Sequence, residues 1–474
     1  MWHKGLIFKL RQAGIDGILL QWFIDYLHDR FQRVVINGQH SNWQEIKAGV
    51  TQGSVLGPTL FLVFINDIVY VIRHCKIRMF ADDTCLIIEV DNRADTAELI
   101  NEDLEAINIW SKQWLVNFQP SKTKSLIVSL KHDAHHNPPV LFNGHFIDEV
   151  KCHVYLGVKL SSNLRWNQHI HDVSKKARKK LNAMIPLKFK LDRKSLELMY
   201  VSFVRPTMDY AQVVWGSTYD SDIVKLERIQ VDALRLITGA TARSNISNLY
   251  KETNLPTFQK KCNNAMLCFM YKIVHRIAPT YLLNLIEPYE EAPRYNLRNK
   301  DSLKTLFCRL EVYKRSFFPH TIKLWNALPP HVQSLPTYEN FKLHLNREQD
   351  DPCERFYYGE RWPAVHHARI RIGCSKLNSD LCYNLHVINN PTCQCGAPEE
   401  NAYHFFFQCP LYQASRVELM NNVSRIANNV TLETLLYGLS NLSLVQNQSL
   451  FLAVHKFIIA TQTDLSRHSG HAHL

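Results

Sequence analysis

Residues 78–90 read RMFADDTCLIIEV and place two adjacent carboxylates, Asp82 and Asp83, inside a run that is otherwise largely apolar. Ionised carboxylates are almost never fully buried unless they are paired or bound to a metal. Since KIRMFA leads into the pair and TCLIIEV leads out of it, the sequence predicts a strand, a turn that carries both aspartates, and a second strand. The residues alone leave two interpretations open, a solvated turn and a metal-binding acid pair on a rigid hairpin.

The composition is that of a globular protein with an anionic partner. Over 474 residues the hydrophobic fraction is 46%, which argues against general disorder. Lys and Arg number 55 against 43 Asp and Glu, and this net charge of +12 favours nucleic acid as a partner. The longest apolar run, FLVFINDIVYVI from Phe61, is too short to cross a bilayer. The 12 scattered cysteines predict a reducing, intracellular setting in which any clustered cysteines are metal ligands.

Periodicity and turn residues divide the chain coarsely. Helix-period apolar residues run over 4–30, and the Asn-Gly pair at 37–38 predicts a hairpin. An amphipathic helix is predicted over about 92–113, a further hairpin ends at HVYLGVKLSSNLRW, and the pattern over about 165–290 is helical. Residues 286–300, which contain EPYEEAPRYNLRNK, are polar and contain prolines, so we interpret them as a linker.

The order of the motifs around the acid pair resembles a known family. VTQGSVLGPTLFLVFINDI followed by FADD at 80–83 is similar to the palm of reverse transcriptases from non-LTR retrotransposons of the LINE-like, jockey type. The blocks WHKGLIFKLRQAGI and RFQRVVINGQHSNWQEIKAGVTQGSVLGP upstream, and WSKQWLVNFQPSKTK and VYLGVKL downstream, resemble further blocks of that family in the same order. Ordered motifs throughout the first 160 residues make the resemblance specific.

The resemblance implies an RNA-directed DNA polymerase that transfers deoxynucleotides to a DNA primer 3′-hydroxyl on an RNA template, using two Mg²⁺ ions. It implies that Asp82 and Asp83 are catalytic, metal-binding carboxylates, and that Gln52 and Gly53 approach the incoming nucleotide and the template. Lys122 would act near the pyrophosphate leaving group. Plain turn chemistry is the alternative for Gly53, and an ordinary surface position is the alternative for Lys122.

Two further segments have implied contacts with nucleic acid. Residues 155–157 match the primer-grip region of the family, although a packed hairpin is compatible with the same residues. The segment SKKARKKL is interpreted either as a thumb face that grips the template–primer backbone or as a solvated basic surface. The residues concerned are Tyr155, Leu156 and Gly157 in the first segment, and Lys175, Lys176, Arg178, Lys179 and Lys180 in the second.

One block of the family is not found in this sequence. Its members carry another metal-binding aspartate in a D-x-x-x-A-F-D block just before W-H, and here Trp2 and His3 already occupy that W-H position. We therefore expect an N-terminally truncated polymerase fragment that lacks the fingers and is inactive alone, because Asp16 and Asp25 match no motif position. Two other hypotheses remain open, a catalytically dead nucleic-acid-binding remnant or domesticated protein, and a relic whose palm does not fold stably.

A second candidate metal site lies near the C-terminus, in CQCGAPEENAYHFFFQCP. Cys393, Cys395, His404 and Cys409 form a complete tetrahedral ligand set for Zn²⁺, and Gly396 suits a tight turn. Many zinc sites have two residues between their first two cysteines, so a set of unrelated buried cysteines is the alternative. The longer segment HARIRIGCSKLNSDLCYNLHVINNPTCQCGAPEENAYHFFFQCPLY also resembles the Cys/His tail of such retrotransposon proteins, which implies a zinc knuckle.

The residues around this cluster suggest either a surface that binds nucleic acid or side chains that pack in a small core. Basic and aromatic side chains would suit a single-stranded nucleic acid, namely Arg369, Arg371, Tyr403 and Phe405. The alternative, which we favour for at least two of the three rings in residues 405–407, is that these phenylalanines fill a small core. We interpret Cys374, Cys382, Trp215 and Trp325 as core residues.

These patterns together predict an α+β protein, with an incomplete polymerase palm (an antiparallel sheet with helices), a helical thumb or connection region and a small zinc-knuckle-like segment. The predicted parts are the palm fragment over 1–160, the helical thumb or connection region over 161–290, the linker and connection region over 291–350, the Cys/His region over 351–435, and a C-terminal helix and tail over 436–474. Reverse transcription at a chromosomal target implies a nuclear location, and no membrane partner is expected.

Overall fold

The computed structural model describes residues 1–130, 138–286, 303–346, 356 and 358–465, with the helical backbone alone over 462–465. Contacts divide these residues into two compact units, a first unit over 1–164 and a second unit from 165 onward. Both helices and strands occur among them, so the predicted mixture is confirmed. The predicted linker over 286–300 lies outside the described residues from 287 onward, and the finer division into five parts stays a prediction.

The first unit alternates helices with short strands. Its helices are α1 (His3–Gln12), α2 (Gly17–Leu27), α3 (Gly57–Ile65) and α4 (Arg93–Trp114), with 3₁₀ turns at Asn66–Val71 and Pro120–Lys122. Its strands are β1 (Phe31–Gln32), β2 (Val35–Ile36), β3 (Gln39–His40), β4 (Gln44–Glu45), β5 (Lys76–Phe80), β6 (Asp83–Ile87), β7 (Lys124–Ser125), β8 (Leu141–Phe142), β9 (His145–Phe146), β10 (Asp148–Glu149), β11 (Cys152–Tyr155) and β12 (Val158–Ser161).

The strands of the first unit pair two by two. The β2–β3, β5–β6, β8–β9 and β11–β12 pairs are antiparallel hairpins, β1 pairs antiparallel with β4, and β7 pairs in parallel with β10. The predicted Asn-Gly hairpin is confirmed, because Asn37 and Gly38 both have positive φ, 49° and 80°, as a tight hairpin turn requires. Leu156 and Gly157 make the same kind of turn between β11 and β12, with φ of 47° and 77°.

The helical segments near the N-terminus are short. The helix-period residues over 4–30 form two helices, α1 and α2, and Gly14 adopts φ 83° just after α1. Helix α3 ends at Ile65, and the chain continues as a 3₁₀ turn to Val71. The amphipathic helix predicted over 92–113 is confirmed as α4, and the side chain of Asn92 caps its first turn.

Two apolar clusters form the core of the first unit. One joins α1, α2 and α3 through buried leucines and phenylalanines, and the other packs α4 against the 3₁₀ turn and the β8–β9 hairpin. Lys9 connects α1 to α3 and to the 3₁₀ turn that follows it. Its Nζ donates to the Phe64 carbonyl at 2.5 Å and to Asp67 Oδ1 at 2.6 Å. Burial lowers the pKa of Lys9, although the ion pair with Asp67 opposes this change.

The named secondary-structure elements in the described part of the second unit are helices, as predicted for 165–290. The helices are α5 (Asn167–Met184), α6 (Arg193–Met199), α7 (Arg205–Asp209), α8 (Gln212–Trp215), α9 (Asp220–Thr238), α10 (Ile246–Thr253), α11 (Phe258–Val274), α12 (Thr280–Leu283), α13 (Glu311–Lys314), α14 (Phe317–Asn326), α15 (Pro330–Gln333), α16 (Tyr338–Asn346), α17 (Arg361–Ile372), α18 (Gln413–Val423), α19 (Leu432–Tyr437) and α20 (Leu444–Leu465). Single π-helical turns occur at Tyr200–Val204, Asp380–Asn384 and His404–Gln408.

A buried ion network ties three of these helices together. Glu252 of α10 accepts hydrogen bonds from Arg193 at 2.5 Å and from Arg371 at 2.7 and 2.9 Å. All three side chains are 3–5% exposed, so each charge depends on the others for compensation. Trp215 and Trp325 are 0% and 2% exposed, which confirms that both are core residues.

None of the helices in the described part of the chain is both long and apolar enough to span a membrane.

Candidate metal and active-site residues

The acid pair lies at the tip of the β5–β6 hairpin. Phe80 pairs with Asp83 in the last rung, so that Ala81 and Asp82 form the turn and Asp83 begins β6. The predicted strand, turn and strand are therefore confirmed. Ala81 adopts φ 51°, a left-handed conformation that is unfavourable for a residue with a Cβ. Both aspartates are exposed to solvent, and nothing in the hairpin itself neutralises them.

Asp103 of α4 fixes the chain where it leads into β5. Its carboxylate accepts hydrogen bonds from the backbone N–H groups of Arg73, His74 and Cys75 at 2.9, 3.1 and 2.7 Å. Burial acts to raise the pKa of Asp103, but the three N–H groups outweigh it and hold the pKa below the ordinary value. The hairpin that presents Asp82 thus has a rigid base on α4.

Tyr155 lies close enough to Asp83 for their charges to interact. Burial raises the pKa of the Tyr155 hydroxyl, and the negative charges of Cys85 and Asp83 raise it further. Tyr155 ends β11, so the turn of Leu156 and Gly157 follows it directly. Of the predicted primer-grip residues, Tyr155 therefore interacts electrostatically with one of the predicted carboxylates, Asp83.

The other predicted site residues of the first unit are exposed to solvent. Gln52 and Gly53 form a turn before α3, and the φ of 86° at Gly53 explains why a glycine is needed there. Lys122 ends the 3₁₀ turn after α4 and makes no ion pair with Asp82 or Asp83. The structure gives Lys122 a surface position and leaves its catalytic role a prediction.

The acid pair by itself does not make up the two-metal magnesium site that the sequence predicts. Over the described ranges, no third acidic, histidine or cysteine side chain joins Asp82 and Asp83 to make a group of three. Two cations that clamp the attacking and leaving oxygens need carboxylates on both sides. Two adjacent carboxylates are too few to hold both ions, so this pair alone would not support a two-metal reaction.

The basic segment of α5 has two kinds of side chain. Arg178 forms an ion pair with Asp232 at 2.5 Å, and Lys180 donates to the Phe203 carbonyl at 3.0 Å and to Thr207 Oγ1 at 2.7 Å. Lys175, Lys176 and Lys179 are exposed on the helix surface. Three of the five predicted nucleic-acid contacts thus face solvent, while the other two have partners within the protein.

The four predicted zinc ligands come together in the second unit. Cys393 Sγ lies 3.7 Å from Cys409 Sγ, and Cys395 Sγ lies 3.3 Å from His404 Nε2. All four ligand atoms lie within 4.8 Å of one another. Bonds of about 2.3 Å to sulfur and about 2.0–2.1 Å to nitrogen give tetrahedral edges of roughly 3.5–3.8 Å, so the spacing of the donors is compatible with one ion of this kind.

Two local turns position these donors. Gly396 adopts φ 92°, and its backbone N–H donates to the Cys393 carbonyl at 3.0 Å. The backbone N–H of Cys393 in turn donates to the Ala397 carbonyl at 3.0 Å. The tight turn predicted at Gly396 is therefore confirmed. His404 begins a single π-helical turn, and the Cys409 N–H closes that turn on the His404 carbonyl at 2.8 Å.

The thiols of the cluster differ in how readily they ionise. Burial raises the pKa of Cys393 to about 12 and also raises that of Cys409. The pKa of Cys395 is lowered, first of all by the N–H of Ala397. Because a metal binds thiolates, a metal held here would displace protons from Cys393 and Cys409.

The cluster is part of a larger core and not an isolated knuckle. Phe405 and Phe406 are 5% and 0% exposed and lie 5.1 and 5.4 Å, between ring centroids, from Phe457 of α20. The expectation that at least two of the three phenylalanines fill a core is confirmed. That core also contains side chains of α18 and α19.

The proposed nucleic-acid contacts around the cluster are mostly engaged within the protein. Arg371 belongs to the buried Glu252 network, and Arg369 Nε donates to the Gly239 carbonyl at 2.8 Å. Tyr403 is exposed, stacked on Phe407 at 5.2 Å between ring centroids. Cys374 is buried and Cys382 is half-buried, and neither joins the ligand set.

Sequence reasoning missed the residues that support the two sites. Asp103 and Lys9 contact backbone groups distant in sequence, and Glu252 meets two arginines from different helices. No local motif marks such residues. The signal that could have found Asp103 is an acidic residue on the apolar face of α4.

The comparisons with known proteins agree with the motifs. Residues 1–160 match the family described as "Reverse transcriptase (RNA-dependent DNA polymerase)". The chain is 28% identical over 277 residues to a "Probable RNA-directed DNA polymerase from transposon BS" of Drosophila melanogaster, a match over 55% of this chain and 30% of that protein. It is 27% identical over 286 residues to the "RNA-directed DNA polymerase from mobile element jockey" of the same species, a match over 58% and 31%.

A further relative matches more of the chain at lower identity. The chain is 21% identical over 385 residues to a "Retrovirus-related Pol polyprotein from type-1 retrotransposable element R1" of Bradysia coprophila. This match covers 79% of this chain and 35% of that protein. The chain thus spans about a third of the length of these relatives. The resemblance to reverse transcriptases of jockey-type non-LTR retrotransposons is confirmed.

Proposed function

We propose that this chain, a relative of the reverse transcriptases of jockey-type non-LTR retrotransposons, is part of an RNA-directed DNA polymerase. The observation that supports this most strongly is that Asp82 and Asp83 lie at the exposed tip of the β5–β6 hairpin, inside the segment that matches the family. The partners in the reaction are an RNA template, a DNA primer and deoxynucleotides. In this proposal residues 1–160 are a palm fragment and the helices that follow are a thumb or connection region.

Each proposed role comes from the resemblance to the family and is compatible with the exposed position of the side chain. Asp82 and Asp83 would contribute carboxylate ligands to Mg²⁺ from a hairpin tip that solvent and nucleotide can reach. Gln52 and Gly53 would approach the nucleotide and template through an exposed turn without a bulky Cβ. Lys122, exposed after α4, would meet the leaving pyrophosphate only when substrate is bound.

The 474-residue chain is proposed to be inactive alone. Its described residues supply carboxylates from one hairpin, whereas a two-metal site needs ligands from two sides. The reaction would therefore require a further carboxylate that no predicted site residue of this sequence supplies. The same deficiency predicts that Asp82 and Asp83 bind a single divalent cation weakly.

Primer extension tests this proposal directly. The purified 474-residue chain is incubated with an RNA template, a DNA primer, deoxynucleotides and Mg²⁺, beside Asp82→Ala. We expect no extension from either protein. Extension by the wild-type chain that Asp82→Ala abolishes would overturn the proposed inactivity, and extension that survives Asp82→Ala would overturn the role of Asp82.

Metal binding at the acid pair is measured separately, with Mn²⁺ as the probe. Electron paramagnetic resonance should show weak, saturable binding that is lost in Asp82→Ala combined with Asp83→Ala. The exposed Asp95, in the first turn of α4, provides a matched control as Asp95→Ala. Equal Mn²⁺ binding by the double variant and the wild-type chain would contradict the proposed site.

For the C-terminal cluster we propose a Zn²⁺ ion held by Cys393, Cys395, His404 and Cys409 with a structural role. Three thiolates and one imidazole are a common structural zinc set, and all four positions are filled by protein. Metal analysis of the purified chain should give one zinc per chain. Absence of zinc from both the wild-type chain and Cys395→Ser would contradict this centre.

A second candidate function is nucleic-acid binding without catalysis, as in a remnant or domesticated protein. The observation that favours it is the exposed row of Lys175, Lys176 and Lys179 on α5. Three phosphate contacts would give a slope near −2.7 for the logarithm of the association constant against that of the salt concentration. Replacing all three lysines by glutamine should remove most of that slope, and an unchanged slope would exclude α5 as the contact.

A further inference from the structure

The ligand set of the C-terminal cluster creates a charge that the protein must neutralise. Three thiolates and a neutral imidazole around Zn²⁺ carry a net charge of −1. Cys393, Cys409 and His404 are at most 6% exposed, so solvent screens this charge poorly. An uncompensated buried charge is strongly destabilising, so a nearby cation is expected.

Arg416 of α18 is the cation in position for this role. It is 8% exposed, and its Nε donates to the Phe406 carbonyl at 2.9 Å while its Nη2 donates to the Cys409 carbonyl. Both acceptors belong to the segment that carries the ligands His404 and Cys409. A third hydrogen bond, from Nη1 to Gln413 Oε1 at 3.0 Å, holds the guanidinium in this orientation.

Two ionisable side chains other than the ligands interact with the cluster, Arg416 and Glu400, and only Arg416 carries a positive charge. Burial lowers the pKa of Arg416, and the negative charge of Cys409 opposes this, so the two groups interact electrostatically. Glu400 interacts with Cys393 and adds negative charge when ionised, although burial raises its pKa. Glu400 therefore cannot compensate the thiolates, and Arg416 can.

We propose that Arg416 is a positioning residue of the zinc centre, which compensates its net negative charge and fixes the His404–Cys409 turn through two carbonyl groups. It holds no metal itself. Resting on the zinc site proposed above, the inference adds that α18, and with it the core of α18–α20, is electrostatically coupled to the metal. Loss of Arg416 should weaken metal binding even where the four ligands are unchanged.

The test measures Zn²⁺ affinity in the 474-residue chain by competition with a chromophoric chelator. Arg416→Met keeps the buried stem and removes the charge and the donors. We expect its Zn²⁺ affinity to fall by about 10- to 100-fold, the usual effect of losing a residue that supports metal ligands. Arg416→Lys, which keeps the charge but cannot bridge two carbonyls, should lose less. Arg425→Met, at an exposed position just after α18, should bind as the wild-type chain does.

A second measurement separates charge compensation from simple packing. Melting curves are recorded with and without Zn²⁺, and Co²⁺ substitution reports the thiolate ligands by their charge-transfer absorption. If Arg416 only packs, Arg416→Met will lower both melting temperatures equally and leave the Zn²⁺ affinity unchanged, which would overturn the inference. Should Arg416→Met not fold, Arg416→Gln takes its place, and wild-type affinity in that variant would overturn the inference equally.

The outcomes also separate this inference from the proposals on which it rests. A wild-type chain that binds no Zn²⁺ would refute the zinc centre and the role of Arg416 together. A wild-type chain that binds Zn²⁺ as tightly as Arg416→Met would refute the role of Arg416 alone. Neither result bears on the polymerase assignment of residues 1–160.

Discussion

The two candidate metal sites of this protein are built in opposite ways. Asp82 and Asp83 are exposed at the tip of a two-stranded hairpin, with no third ligand beside them in the described parts of the chain. The Cys393–Cys409 cluster has four donors, three of them buried, within a core of three helices. The difference corresponds to what each metal would do, since a catalytic cation must meet substrate whereas a structural ion must be enclosed.

This contrast predicts at which of the two sites substitutions lower the free energy of unfolding. Residues at the acid hairpin should tolerate substitution with little loss of folding free energy, because their side chains contact solvent. Residues at the Cys/His cluster and in the core around it should not. The four predictions below test that contrast, from the largest expected effect to the smallest.

Removal of the metal should have the largest effect. A ligand present at a thousand times its Kd stabilises the folded state by about 4 kcal/mol, so chelation or Cys409→Ser should cost the second unit roughly that amount. Hydrogen exchange of α18–α20, with and without chelator, measures it. Cys382→Ser is the matched control, since Cys382 is half-buried outside the cluster. Unchanged exchange of these helices after chelation would show that the contrast is wrong.

Glu252→Gln should have the next largest effect. The substitution leaves Arg193 and Arg371 buried without their shared carboxylate, and breaking a buried pair costs about 3–5 kcal/mol. Urea unfolding measures the change. In the first unit Glu89→Gln removes an exposed pair with Lys76 at 3.5 Å and should have no measurable effect. Equal losses in the two variants would remove the distinction between the units.

Acid should destabilise the second unit through two buried histidines. Burial lowers the pKa of His455 from 6.5 to about 4, and that of His367 lies well below 6.5. The unfolded chain takes up protons below pH 6.5 while the folded chain does not, so stability is complete above pH 6.5 and is lost as the pH falls toward 4. Each histidine contributes at most about 1.4 kcal/mol per pH unit.

The pH effect is measured by urea unfolding between pH 7.5 and pH 5. The charges that face His455 are those of Arg371 and, when protonated, His367, and both disfavour its protonation. His455→Phe should therefore flatten the pH dependence, while His28→Phe, on the exposed end of α2, should leave it unchanged. An equally steep pH dependence in His455→Phe would contradict the assignment.

The smallest effect is expected at the hairpin tip. Ala81→Gly relieves the left-handed conformation at φ 51° and should raise the free energy of unfolding by about 0.5–1 kcal/mol. Asp82→Asn, at the exposed neighbouring position, should change it by less than about 0.5 kcal/mol. A large loss of stability in either variant would mean that the tip is held by contacts that the hairpin does not show.

Local signals account for the parts of this fold that were predicted correctly. The Asn37-Gly38 hairpin, the Leu156-Gly157 hairpin and α4 each depend on residues within a few positions of one another. The Cys393–Cys409 set was found for the same reason, since its four donors come from one short segment. The break between α1 and α2 also has a local signal, since Gly14 lies there with φ 83°.

The sequence by itself determined the family resemblance, the acid hairpin and the Cys/His cluster, because each is encoded in short-range order. Only the tertiary structure decided which charges are buried. Arg371 and Arg416 look like solvent-exposed basic residues in the sequence, yet one joins Glu252 and the other binds the carbonyls beside the cluster. The physical reason is that compensation of a buried charge depends on distance in space, which the spacing of residues along the chain does not specify.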